Sequence, residues 1–182
     1  MPKVDWHCIV WFKNRIPRHS FILWLTMLNR LSTQKRMIKW KIGTGDRCPF
    51  CKTVQDSRSH LFFDCKFPNQ IWKEMMCKAD FGTLPDKWRD LIGKLQDCLK
   101  KDNGENLIRK LVFAATVYHI WRERNWRLLK KIENDEDKVV KLISEDVKLK
   151  IISLGLGFKG IKEETKVKWG IHNPKNDVND DR

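Results

Sequence analysis

The chain has 182 residues, of which 41% are hydrophobic and nine are tryptophan, and it carries a formal net charge of +14. This composition excludes a disordered protein and suffices for one core of ordinary size, or for a domain plus a tail. The longest apolar runs, such as residues 111–118, are too short to cross a bilayer, and Lys3, Asp5, Lys13 and Arg15 interrupt any signal-peptide core. An intracellular protein is therefore expected, nuclear or cytoplasmic, with reduced cysteines and no membrane partner.

The charge is unevenly spread. Residues 1–47 hold ten Lys/Arg against two acids and residues 103–132 hold seven against two, whereas residues 133–182 hold ten against eleven. A basic surface confined to the first two thirds is the electrostatic footprint of a polyanion, held by salt-sensitive, sequence-independent attraction to phosphates. A lysine-rich face that serves only solubility is the other reading of the same charge.

In chain order, Pro17 opens a first amphipathic helix to Asn29, with Phe21, Trp24, Leu25 and Leu28 as its apolar stripe. Ser32 or Thr33 caps a short second helix through Met37 and Trp40 to near Gly43, with Lys35, Arg36, Lys39 and Lys41 on or near its exposed side. This helix delivers the chain into the most informative segment, where Cys48, Cys51, His60 and Cys65 are spaced C-x2-C-x8-H-x4-C. Three thiols and an imidazole are the Cys3His set of a closed, tetrahedral structural zinc site, and residues 46–66 read as a zinc knuckle holding one Zn2+. A redox CxxC would expect a βαβ context, and the flanks here are helical. Arg47, Lys52 and Arg58 put positive charge near the thiolates, and Asp64 is assigned to the surface or to supporting the ligands, because sulfur suits zinc better. Cys8, Cys77 and Cys98 read as small, buried or half-buried thiols rather than a fifth ligand or a catalytic group.

Beyond the knuckle, Pro68 opens a helix with Ile71, Trp72, Met75 and Met76 on its apolar face. Trp88, Leu91, Ile92, Leu95 and Leu99 mark a helix from near Asp86, and the stripe from Leu107 through Tyr118 and Trp121 to Leu129 marks a longer one. Within the latter, Trp121-Arg122-Glu123-Arg124-Asn125-Trp126-Arg127 alternates indoles with guanidiniums. Such a pattern can stack unpaired bases, but Trp121 falls on the core stripe, leaving Arg122, Arg124 and Arg127 as a solvated face. Val139 to Ile152 forms a last helix behind the acidic Asp135, Glu136 and Asp137. From Gly155 the sequence has no period and reads as a loose tail, with Trp169 transiently docked.

The order Trp11, Pro17, Phe21-Ile22-Leu23-Trp24-Leu25, Leu31-Ser32-Thr33, Trp40, Cys48-Pro49-Phe50-Cys51, His60-Leu61-Phe62-Phe63-Asp64-Cys65 and Ile71-Trp72 resembles the reverse transcriptase zinc-binding domain. That domain closes plant LINE-type, non-LTR retrotransposon polyproteins and also occurs free-standing. The resemblance covers roughly residues 6–77, and Tyr118 to Asn125 is similar to the helix that commonly follows the domain. It implies that Cys48, Cys51, His60 and Cys65 are the zinc ligands of a nucleic-acid-binding or structural module beside a polymerase. No Tyr/Phe-x-Asp-Asp polymerase motif is present, and the x8 spacing between Cys51 and His60 differs from the x4 of a retroviral nucleocapsid knuckle.

Nor does the chain contain a G-x-S-x-G elbow, a phosphate-binding glycine loop or an H-E-x-x-H motif, and His7, His19, His119 and His172 lack a recognisable nucleophile and acid. The expectation is an all-α protein with three parts: a zinc-binding domain over residues 6–78, a helical extension over 86–153 and a flexible tail over 154–182. It is expected to be non-catalytic, without a small-molecule substrate. Its predicted partner is RNA or an RNA/DNA hybrid, contacted by Lys35, Arg36, Lys39, Lys41, Arg47, Lys52, Arg58 and Lys66. A zinc-stabilised scaffold for a protein partner, or a decayed fragment, is the alternative.

Overall fold

The computed structural model describes residues 4–41, 45, 47–83, 85, 88–155 and 160–171. Among the described residues eight α-helices follow in order: α1 (His7–Val10), α2 (Pro17–Met27), α3 (Gln34–Lys39), α4 (Lys66–Lys78), α5 (Trp88–Cys98), α6 (Gly104–Asn125), α7 (Glu136–Ser153) and α8 (Glu163–Lys168). Two π-helical turns, His60–Asp64 and Trp126–Lys130, precede α4 and extend α6. The described residues form no strand, and the all-helical class read from the sequence is the one observed.

The centre is α6. It is apolar on nearly all sides through Leu107, Ile108, Leu111, Val112, Phe113, Val117 and Ile120, and such a helix must be surrounded. Helices α2, α4 and α7 pack around it, and α1 touches it as well. Leu61, Phe62, Ile71 and Trp72 from the knuckle side and Val139, Ile143 and Val147 from α7 join one continuous buried cluster with it.

Helix α2 sits differently from its predicted stripe. Phe21 is 50% exposed and Trp24 is half-buried, whereas His19, Ser20, Leu23 and Thr26 are buried. The short residues Ser20 and Thr26 let α2 approach its neighbours closely, and Thr26 satisfies its hydroxyl by donating to the carbonyl of Ile22 at 2.8 Å. The displaced aromatics form a flanking row, with the Trp11 and Trp24 rings 6.1 Å apart and the Phe21 and Trp24 rings 5.9 Å apart.

The region after Gly155 also departs from expectation. Over residues 160–171 it forms α8 and packs, with Trp169 3% exposed and Ile171 6% exposed. Glu105, in the first turn of α6, accepts from the backbone N–H of Lys162 at 2.8 Å and from the Thr165 hydroxyl at 3.1 Å. Gly104 permits this approach, because a Cβ there would lie 2.7 Å from the Gly160 carbonyl carbon. A helix of six residues is too short to show a period, which is why the sequence concealed it. Residues 172–182 of the expected tail lie outside the described residues.

Two polar assemblies tie the layers together. Asp146 on α7 accepts from Arg18 at 2.8 Å, and its Oδ2 lies 3.1 Å from His19 Nε2 and 3.0 Å from His119 Nε2, joining α2, α6 and α7. The second is fully buried. Asp56, in the second half of the knuckle, receives Arg124 of α6 through Nη2 at 2.6 Å and Nε at 3.2 Å, and the backbone N–H of Gln34 at 2.7 Å. Arg124 is therefore not on a solvated face: its side chain is 4% exposed and that of Asp56 is 0% exposed.

Removing one member of such a pair strands the other in low dielectric. Arg124→Ala should lower stability by about 3–5 kcal/mol. Asp56→Leu combined with Arg124→Met should recover part of that loss in urea unfolding of the zinc-loaded proteins. Equal losses in the single and double variants would show that the ion pair does not hold this interface.

Candidate metal centre

The first half of the site is a tight turn. After Cys48-Pro49-Phe50-Cys51 the chain reverses at Lys52, whose φ of 60° is left-handed. The turn is closed by the Lys52 N–H donating to the Cys48 carbonyl at 2.8 Å and by the Cys48 N–H donating to the Val54 carbonyl at 2.7 Å. An isolated bridge between Arg47 and Gln55 pins the ends of the loop.

The second half depends on the π-helical turn. On an α-helix His60 and Cys65, five positions apart, would point about 140° away from each other. Here the Cys65 N–H donates to the His60 carbonyl at 3.0 Å, an i→i+5 bond that widens the turn and brings both side chains to one side. Leu61 and Phe62, within the same turn, are fully buried and anchor it in the core.

The four ligand atoms all lie within 4.8 Å of one another. Cys48 Sγ is 3.9 Å from Cys65 Sγ, and Cys51 Sγ is 3.3 Å from His60 Nε2. Tetrahedral zinc with ordinary bond lengths would place two sulfurs about 3.8 Å apart and a sulfur and a nitrogen about 3.6 Å apart. The donor set fits the ion, and Asp64, which is exposed, is not among the ligands.

Two of the three thiols are prepared to lose protons. A hydrogen bond from the Cys65 thiol, with the backbone N–H groups of Cys51 and Phe50, outweighs burial and lowers Cys48 to about 6. Burial opposes ionisation of Cys51, but the Thr53 hydroxyl, 3.2 Å away, and the N–H groups of Thr53 and Val54 bring it down to about 7. Cys65 goes the other way: donating to Cys48, burial and the neighbouring negative charge push its thiol up. A cation bound between Cys48 and Cys65, whose sulfurs lie 3.9 Å apart, would replace the Cys65 thiol proton. Hydrogen bonds to sulfur lead among the groups that lower Cys48 and Cys51, rather than the cations singled out from sequence. Arg58 is turned inward instead, donating to the Thr26 carbonyl at 3.2 Å and lying over the Trp88 ring, with its own pKa lowered by burial.

The remaining basic residues divide. Lys35 and Lys39 are exposed on α3, with Lys41 just after it, and Arg47, Lys52 and Lys66 are exposed on the knuckle and at the start of α4. Helix α3 and the knuckle are joined by Gln34 Nε2 donating to the Arg47 carbonyl at 2.7 Å, so these two groups share a neighbourhood. Arg36 is half-buried, bonded to the Asn29 carbonyl, with its guanidinium 4.9 Å from the ring centre of Trp40. Trp40 itself is 49% exposed, a site feature read from sequence only as the end of a helix.

Sequence reasoning missed what supports the knuckle from behind. Arg127 lies 4.3 Å from the ring centre of Phe67 and 5.0 Å from that of Phe50, two rings stacked at 4.6 Å beneath the cysteine turn. No spacing rule could link Arg124 and Arg127 to residues sixty positions earlier. Sequence reasoning also missed the meeting of His19 and His119 with Asp146, a second group of metal-ligating types. Burial lowers the pKa of His19 to about 3 and also lowers that of His119, so both rings are neutral at pH 7. Both Nδ1 atoms are buried without a partner, whereas metal-bound histidines donate that N–H to a neighbour. Arg18 occupies the same carboxylate oxygen, and the group reads as a structural clamp.

Zinc binding to the Cys3His set should release about one thiol proton at pH 8, where only Cys65 retains its own, and about three near pH 5. Affinity should therefore fall ever more steeply as pH drops through 7 and then 6, measured by competition with a chromogenic chelator. Cys65→Ser should reduce zinc content from one per chain to near zero by mass spectrometry.

No curated protein and no solved structure matches the chain. Residues 1–72 match the family described as zinc-binding in reverse transcriptase, a segment that contains all four ligands and ends within α4. This N-terminal part of the chain, with its four candidate ligands, is therefore similar to the reverse transcriptase zinc-binding domain family.

Proposed function

We propose that the protein acts without catalysis, as a zinc-stabilised nucleic-acid-binding module descended from a retroelement reverse transcriptase. It works inside the cell, in nucleus or cytoplasm, on RNA or an RNA/DNA hybrid without reading sequence. The observation that carries this reading is the joint surface of α3 and the knuckle. Lys35, Lys39, Lys41, Arg47, Lys52 and Lys66 are all exposed there, and Trp40 offers an open indole among them. Cations satisfy phosphates and an exposed aromatic tolerates any base, which together make a sequence-independent contact.

In this reading zinc contributes the shape of the loop and takes part in no bond-making step. Cys48, Cys51, His60 and Cys65 hold the ion. Gln34 fastens α3 to the loop, and Arg124 and Arg127 fasten the loop to α6. The cations are thus presented on a rigid base.

A second reading is a scaffold that docks a protein side chain. It is favoured by a cavity of about 520 Å³ beside the π-helical turn, walled by Phe63, Trp72, Met76 and Leu91.

Lys35→Glu with Lys39→Glu changes two exposed side chains and should leave zinc content and thermal unfolding unaltered. The affinity for a single-stranded RNA should fall, and the slope of log K against log salt should flatten by about 1–2, since each phosphate contact contributes about 0.7. An unchanged slope would remove α3 from the binding surface and favour the scaffold.

A further inference from the structure

The outer face of α6 bears a feature that the α3–knuckle surface does not include. Tyr118, Arg122, Trp126 and Lys130 recur every fourth residue along α6 and its π-helical extension, and so form one stripe. Arg122 lies 5.8 Å from the ring centre of Tyr118 and 4.7 Å from that of Trp126, and Lys130 lies 5.7 Å from Trp126. Arg18, projecting from α2 with its side chain 56% exposed, adds a further cation 5.5 Å from the Tyr118 ring. The stripe is therefore an alternating ladder of cations and aromatic rings about 18 Å long from Tyr118 to Lys130.

Within residues 118–130 the charge meets one acid alone, and Arg18 beside them is already paired with Asp146 at 2.8 Å. Glu123, the one acid between residues 118 and 130, is 2% exposed and turned inward to Arg127 and Asn134. Arg124 and Arg127 are likewise committed to the knuckle, so the indole–guanidinium segment splits into an inner half that holds the fold and an outer half, Arg122 and Trp126, that is half-buried at the surface. The ladder also adjoins the proposed binding surface. Lys52 of the knuckle reaches Glu133 at 3.5 Å, which places the turn following Lys130 and Lys131 against the knuckle's basic rim.

The geometry points to a second contact for single-stranded nucleic acid on this ladder, continuing the path of a strand that leaves the α3–knuckle surface and runs along α6 toward Arg18. This rests on the nucleic-acid reading proposed above and specifies the unpaired strand as the partner. A base would stack on Trp126 by displacing the exposed Lys130 ammonium, exchanging an exposed cation–π contact for the stronger base–indole one. The Arg122 guanidinium stays on the ring, and the displaced Lys130 meets a phosphate. A paired duplex cannot make this contact, since its base faces are covered.

The test uses the full chain loaded with zinc and dye-labelled 20-nucleotide oligonucleotides, single-stranded RNA, single-stranded DNA and the duplex, followed by fluorescence anisotropy. Trp126→Leu and Arg122→Gln should each weaken binding of both single strands about tenfold, a stacking-sized effect, with duplex affinity unchanged. Lys35→Glu with Lys39→Glu should weaken all three. Ladder variants that bind single strands like the unmodified protein, while the α3 variant fails, would overturn the ladder and leave the proposed function standing. Equal losses on single strand and duplex would overturn the stacking role, and an unmodified protein that binds nothing would overturn both. A measurement independent of folding of the variants is photocrosslinking of the unmodified protein to a 4-thiouridine oligonucleotide. The labelled peptide should contain Trp126, and label confined to other segments would overturn the inference.

Discussion

The structure depends most on one buried carboxylate. Asp56 Oδ2 is shared by the Arg124 guanidinium and by the first N–H of α3, with none of the Asp56 side chain reaching solvent. In a low-dielectric interior a slipped register on any of the three partners would leave an unpaired charge, which costs several kcal/mol. The knuckle, α3 and α6 consequently meet in one arrangement. A hydrophobic contact of the same area would tolerate sliding, whereas this pair does not.

The metal site and the core are one object. Cys48 and Cys65 belong to the same buried cluster as Leu61, Phe62 and Ile71, and the rings of Phe50 and Phe67 close the site from below under Arg127. In isolated finger peptides the zinc ion supplies folding energy that no core could provide. Here the ligands are presented by a packed helical body, and an ion bound there would neutralise three sulfurs, of which hydrogen bonds already bias two, Cys48 and Cys51, toward the thiolate. The π-helical turn is the local device that makes this possible, since ordinary helical geometry would turn His60 away from Cys65.

The family segment does not stand alone. It ends within α4, yet the residues that brace its knuckle, Arg124 and Arg127, lie on α6 and on the π-helical turn that extends it, and the clamp on His19 comes from α6 and α7. Helix α6 is therefore both the centre of the core and the backing of the metal site. Its C-terminal turns divide the labour, Arg124 turning inward to the knuckle and Arg122 lying half-buried on the outer side.

Much of this was legible in residue order alone. The helical class follows from apolar spacing, the ligand set from residue types that only a metal unites at such short intervals, and the basic first two thirds from simple counting. These are local properties, carried within one turn of helix or one loop. The rest required the tertiary structure, because it concerns which face of a helix meets which neighbour. The choice of Ser20 and Thr26 over Phe21 as the buried side of α2 was set by how closely two helices can approach. The withdrawal of Arg58, Arg124 and Arg127 from solvent was set by partners 32, 68 and 60 or more residues away. The close approach of Gly160 and Ile161 to the start of α6 was set by the glycine gap at Gly104. Periodicity records the spacing of side chains along a helix axis but not the rotation of that helix against the others. Burial and ion pairing are decided by that rotation.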